Sequence, residues 1–377
     1  MNTSLDAIDT SHHWSTTAND IIESGGQHHT KYAQLRIPYS AVLAGVLARL
    51  LSLDPYQKAV FPQVECIQVN LAKGGALDGL NDEECKQNVS EFVARVRSMF
   101  PNASMCSVKR RSAPLHTPFP NLTNLTMTHS YPFTNDAMFR GNRGMQQMAL
   151  SLDITDLLIL DKSGVFENSR FAQLKDLDLE INLIDQPYST AFGQRLCRIP
   201  LEMAPNIESL KLKFVGFPYK HSLHNSFAMV SPLDKLRFLT ITGVTLSLTE
   251  TIGLVGRIPK LSQLMIDPQT TDYEDEDYEA EGTYRAEEIQ RIEELRLAKT
   301  LSRSALRHVI FQKSSYADMN GASHFACQLA ILCPRITCIR WGYHSSAFDS
   351  CCKENAADML YSAYKKRLES VEWIKVK

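Results

Sequence analysis

At 377 residues, 44% hydrophobic and 22% charged, the chain has the composition of an ordinary water-soluble folded protein, long enough for two or three compact domains or one extended repeat array. Forty basic against forty-two acidic side chains leave a net charge near −2, which excludes an overall electrostatic pull toward nucleic acid or an anionic membrane. Nine scattered cysteines, an odd number, suit reduced thiols in the cytoplasm or nucleus better than a disulfide framework.

Residues 1 to 30 show no hydrophobic periodicity and are expected to be a disordered tail. The pairs His12-His13 and His28-His29 within it lack a third ligand at zinc spacing. Residues 31–58 hold the most apolar stretch, Ala41 to Ala48, which stops at Arg49. Crossing a bilayer takes about 20 apolar residues, so this segment is expected to be a helical cap and no membrane partner is expected. The polar residues before it also exclude a secretory signal.

From about residue 60 a short phrase returns: an apolar residue, two variable ones, an apolar, one variable, an apolar. It is strong at Leu122-Leu125-Met127, Leu174-Leu177-Leu179, Ile207-Leu210-Leu212, Leu236-Leu239-Ile241, Leu261-Leu264-Ile266, Leu306-Val309-Phe311 and Ile336-Ile339-Trp341. Weaker copies fit Val64-Ile67-Val69, Ala103-Cys106-Val108, Ile154-Leu157-Ile159 and, near residue 377, Val371-Ile374-Val376. The last two apolar residues of each phrase lie two apart, so a strand would point both to one side. Six copies carry Pro two residues before the phrase (62, 101, 120, 205, 259, 334), which suits the start of a strand.

Between the phrases, Val89-Phe92-Val93-Val96-Phe100, Leu248-Ile252-Val255-Ile258, Met319-Ala322-Phe325-Ala326-Leu329 and Met359-Leu360-Ala363 have helical spacing. Strand, helix and strand in alternation predict a parallel sheet. Residues 268–301 are expected to be an insertion: an acidic run, PQTTDYEDEDYEAEGT, followed by the amphipathic stretch AEEIQRIEELRLAKTL.

The repeated phrase resembles the leucine-rich repeat, and FPNLTNLTMTHSYPFTNDAMFRGN, LAILCPRITCIRW and YKKRLESVEWIKV are similar to the irregular F-box-type leucine-rich-repeat proteins of fungi. The likeness covers roughly residues 60 to 377, and LKDLDLEINLI matches the longer repeat pattern in full, with Asn182 at its asparagine position. It implies an α/β leucine-rich-repeat solenoid over residues 31–377, with a curved parallel sheet and helices on the convex side. It also implies a non-catalytic protein-interaction module, or else the substrate-recognition subunit of a ubiquitin ligase. Ile37-Pro38 and the apolar residues after it match the opening of an F-box only in outline, since Ser40 stands where an acidic residue is usual. A cap on the solenoid is therefore the expectation for residues 37–51.

In this register the residues two, four and six places after each first apolar position face the concave side. Asp178, Lys211, Phe238, Met265, Ile310 and Arg340 are the expected partner-binding residues, aromatic, Met and Arg side chains being common in protein contacts. The expected partner is a protein, a ubiquitin-ligase adaptor being one candidate, and the expected state is monomeric. No glycine-rich phosphate loop, Gly-x-Ser-x-Gly, His-Glu-x-x-His or Cys-x-x-Cys occurs, so no catalytic residue or cofactor is expected. His324, Cys327, Cys333, Cys338 and His344 form the best metal candidate, but without paired-ligand spacing they read as core residues.

Overall fold

An apolar residue at every second position buries one face of a strand and leaves the other in water, and the phrase forms strands on that ground. The computed structural model describes residues 32–38, 45, 49, 52, 59–72, 82–109, 122–128, 144–153, 157, 171–182, 204–216, 233–268, 301, 304–312, 319–341 and 364–375. The fold is α/β, with parallel strands and few helices. It divides into two compact units, Met1–Asn182 with Glu202–Pro205 and Leu183–Leu201 with Asn206–Lys377.

Unit 1 holds β1 (Tyr32–Pro38), β2 (Cys66–Ala72), α1 (Asp82–Met99), β3 (Met105–Lys109), β4 (Asn124–Thr128), β5 (Gln147–Asp153) and β6 (Asp176–Asn182). Each strand pairs in parallel with the one before it. Its buried rows follow the phrase: Leu177 pairs with Met148 and Met148 with Leu125, and Leu179 pairs with Leu150.

Two expectations are corrected in unit 1. Residues 32–38 are a strand paired with β2, not part of a helical cap, so Ile37-Pro38 closes a strand instead of opening an F-box-like helix. The alternation of Ala33, Leu35 and Ile37 in YAQLRIP accounts for it. Farther along, Arg49 N–H donates to the Gly45 carbonyl at 3.1 Å. The phrase placed at Ile154-Leu157-Ile159 is instead carried nine residues earlier by Met145, Met148 and Leu150, which form and precede β5.

Unit 2 holds β7 (Ser209–Val215), β8 (Phe238–Leu246), α2 (Leu248–Arg257), β9 (Gln263–Pro268), β10 (His308–Phe311), α3 (Met319–Leu332), β11 (Cys338–Trp341), α4 (Lys365–Glu369) and β12 (Glu372–Lys375), its strands parallel in chain order. The expected helices at 89–100, 248–258 and 319–329 are present, while Met359, Leu360 and Ala363 lie outside the described residues. Ser247 caps α2 reciprocally: its hydroxyl accepts from Glu250 N–H at 3.2 Å, and its own N–H donates to Glu250 Oε2 at 2.8 Å. Nearly all described side chains of α3 are buried, and Phe311 meets Phe325 and Trp341 edge-on with ring centroids 5.8 and 5.9 Å apart.

One further correction concerns β12. Trp373, not Ile374, pairs with Ile339, and Ile374 pairs with Arg340. The strand is displaced by one residue from the phrase, which moves Ile374 to the opposite face.

A small device repeats before the strands. Phe61, Phe100, Phe171, Leu233, Ile258, Cys333 and Leu368 are buried, and the carbonyl of each accepts the N–H three residues on, at 3.0 to 3.3 Å. Pro62, Pro101, Pro259 and Pro334 take the second position of this turn, where the proline ring presets φ. The next carbonyl along, from Glu65, Ser104, Thr123, Gln146, Glu208, Arg237, Ser262 and Arg307, then accepts two successive N–H groups of the following strand. The starts of β3 to β6, and the starts in unit 2 that follow Glu208, Arg237, Ser262 and Arg307, are thus each pinned by the strand before.

Two long-range anchors complete unit 2. Arg367 donates from Nε to the Ala330 carbonyl at 3.0 Å and from Nη2 to the Cys333 and Ile336 carbonyls at 3.1 and 2.6 Å. It therefore satisfies carbonyls at the C-terminal end of α3 and the start of the next strand. Gly243 sits at φ +79°, where β8 departs from its register with β9, and its N–H donates to the buried Asp267 carboxylate at 3.0 Å. A Cβ at Gly243 would overlap the Phe214 carbonyl, so the position requires glycine.

Candidate functional site

The strand alternation that buries leucines also presents the intervening residues in rows, one residue per strand at about 4.8 Å spacing. In unit 2 one such row reads Lys211, Thr240, Met265, Ile310, Arg340, Ile374, each residue the register partner of the next. The neighbouring row, two residues earlier on each strand, reads Ser209, Phe238, Gln263, His308, Cys338, Glu372. Four expected partner-binding residues (Lys211, Met265, Ile310, Arg340) thus share one row, and Phe238 stands in the row beside it.

Phe238 is 45% exposed, unusual for a large aromatic ring next to a packed strand face. Lys211 and Arg340 are exposed, and Met265, Ile310 and Ile374 half-buried. The expected residues omitted Ile374, because the phrase assigned it to the core; only the displaced pairing of β12 brings it beside Arg340. Cys338 is buried despite its place in the open rows.

Asp178 belongs to unit 1, in a row of another kind: Gln34, Gln68, Ser107, Thr126, Ala149, Asp178. Beside it the side chains of unit 1 bond to one another. Asn124 Nδ2 donates to Gln147 Oε1 at 2.8 Å, Gln147 Nε2 to Asp176 Oδ2 at 3.3 Å, and Ser151 Oγ to Glu180 Oε1 at 3.1 Å. Donors and acceptors on this face are matched across strands, as an amide ladder matches them.

No protein-family model matches the chain, and no curated protein resembles it in sequence.

Cys327 and Cys333 offer little reactivity. Burial pushes the Cys327 thiol up to about 12. Burial likewise pushes Cys333 up to about 12, with the Arg367 charge acting weakly the other way. Both thiols stay protonated at neutral pH, and a protonated thiol neither attacks nor ligates well. Among the described residues no group of three or more His, Cys, Asp or Glu side chains converges to hold a metal ion. His344 of the candidate metal set, the histidine pairs before residue 30 and the acidic run of residues 269–283 lie outside the described residues. No helix of the described residues is long and apolar enough to cross a membrane.

Proposed function

We propose that this chain is an irregular leucine-rich-repeat solenoid of the F-box-like type, and that the open strand face of unit 2 binds a partner protein without catalysis. The observation that carries this reading is the row Lys211, Met265, Ile310, Arg340, Ile374 with Phe238 beside it: cationic, aliphatic and aromatic side chains arranged on a rigid strand scaffold. Exposed aromatic and arginine side chains held on such a scaffold supply most of the energy of protein interfaces. The exposed side chains of this face, Lys211, Phe238 and Arg340, are not required by packing of the core.

Affinity capture with the intact chain and with the Phe238→Ala/Ile310→Asp variant tests the reading. Both should melt alike, because neither side chain is fully buried, and a defined set of proteins should be lost with the variant. Identical sets from both would overturn it. A ubiquitin-ligase adaptor within the lost set would extend the reading to a substrate receptor.

A further inference from the structure

The face in question carries an unbalanced charge. Arg237 and Arg307 are exposed at the starts of β8 and β10, in the set of residues whose carbonyls pin the following strand, and Arg340 is exposed in the middle of β11. Among the described residues none of these three guanidinium groups makes a side-chain hydrogen bond or ion pair. Lys211, Lys213 and Glu208, by contrast, have partners of their own. Glu372, on β12, is the one acidic residue in the two rows that hold Phe238 and Arg340.

Strand spacing sets the distances. Arg237 and Arg307 stand two strands apart, about 10 Å, and Arg340 lies three residues farther along and one strand beyond, roughly 11 Å from Arg307. Inside this triangle lie Gln263, Met265, His308 and Ile310, with Phe238 at its edge. Two successive N–H groups on one carbonyl interrupt the alternation at Arg237-Phe238 and at Arg307-His308, and none of these four side chains is buried, so apolar centre and cationic rim are parts of one surface; a guanidinium fork pairs best with a planar carboxylate.

We infer that the partner docks on unit 2 through a segment in which aliphatic or aromatic residues alternate with carboxylates, the apolar ones against Phe238, Met265 and Ile310 and the acidic ones on Arg237, Arg307 and Arg340. This rests on the reading of that face as an interaction surface and adds the chemistry of its partner. A nucleic-acid strand fits less well. The chain as a whole is slightly acidic, and the middle of the face is aliphatic where stacked bases would need aromatic platforms.

Panning a phage library of random dodecamers on the full chain tests this, with depletion on the Phe238→Ala/Ile310→Ala/Arg340→Ala variant. Enriched peptides should carry at least two Asp or Glu flanking an apolar residue. A synthetic copy should bind about tenfold more weakly to Arg340→Gln and to Arg307→Gln, the loss expected for one charge-assisted pair, and should weaken as salt rises. Circular dichroism of the glutamine variants should match the unaltered chain, since both arginines are exposed.

Enriched peptides that lack acidic residues yet need Phe238 would overturn the inference and leave the interaction surface standing. A library that does not discriminate the chain from the triple variant would overturn both. Displacement of the peptide by a uridine dodecamer at equal concentration would also overturn the inference, in favour of a nucleic-acid partner.

Discussion

The two units bury the same kind of face and expose different ones. In unit 1 the exposed rows are joined by side-chain hydrogen bonds, from Asn124 to Gln147 to Asp176 and from Ser151 to Glu180, so much of their bonding capacity is spent within the protein. In unit 2 the corresponding rows leave Phe238 and Arg340 exposed and Met265 and Ile310 half-buried. One repeated phrase therefore supports two surfaces, because the phrase constrains only the side chains that point inward. The variable positions are free to carry an internally satisfied lattice in one place and a surface for a partner in another.

The sharpest way to break this comparison is to attack what the units share. Leu177→Asp places a charge in a fully buried row and should remove roughly 4 kcal/mol or more, unfolding unit 1 in urea titrations, whereas Lys211→Asp on an exposed position should change stability by about 1 kcal/mol or less. Equal losses would show the inward and outward assignments to be reversed. Gly243→Ala should remove about 3 kcal/mol, because it combines a left-handed backbone with overlap onto the Phe214 carbonyl; a melting temperature within 2 °C of the unaltered chain, by order of magnitude, would refute the displaced register there. Arg367→Leu should remove about 2 kcal/mol by leaving the carbonyls of Ala330, Cys333 and Ile336 without their donor, while Lys366→Leu next to it should be nearly silent.

Cys327 and Cys333 give unit 2 a pH signature. The folded state holds the protons of Cys327 and Cys333 up to about 12, and the unfolded chain releases them near the ordinary value of 9.0, so stability should fall as pH rises through that window. At pH 10 each thiol contributes roughly 1 kcal/mol to that fall, and Cys327→Ala/Cys333→Ala should flatten it in alkaline denaturation curves. The smallest expected effect sharpens the contrast between the surfaces. Gln147→Ala interrupts the amide ladder and should lower stability by about 1 kcal/mol in thermal melts with no change in partner binding, the reverse of the Phe238→Ala pattern.

Much of this arrangement was legible in the residues. Leu177 with Leu179, Leu210 with Leu212, Leu239 with Ile241, Leu264 with Ile266 and Val309 with Phe311, the last two positions of strong phrases, are all at most 3% exposed, because burial of one face enforces a two-residue period that survives in any sequence with that face. The same period placed Lys211, Met265, Ile310 and Arg340 in one row. It failed where the pattern is ambiguous. Met145, Met148 and Leu150 lack leucine's regularity and stand close to ITDLLIL, which offers a denser run. Adjacent Trp373 and Ile374 fit either face, so the choice between them falls to the pairing with β11. The Arg367 and Gly243 anchors left no periodic trace, since each depends on one residue meeting carbonyls or backbone brought from 29 to 37 positions away.

The pinning of these strand starts by the preceding strand has a consequence for how such a chain can change over time. Because the joint is made by backbone groups at the start of such a strand, the connection between two strands can lengthen without disturbing either. Gln263 and His308 are paired across 45 residues, Phe238 and Gln263 across 25, yet both joints show the same doubled acceptance by one carbonyl. By the logarithmic growth of loop-closure entropy the longer connection is disfavoured by only about 0.5 kcal/mol. Every crossover is therefore a permissive site for inserted sequence, and the acidic stretch between β9 and β10 shows how far one such site can be extended while the strands on either side keep their register.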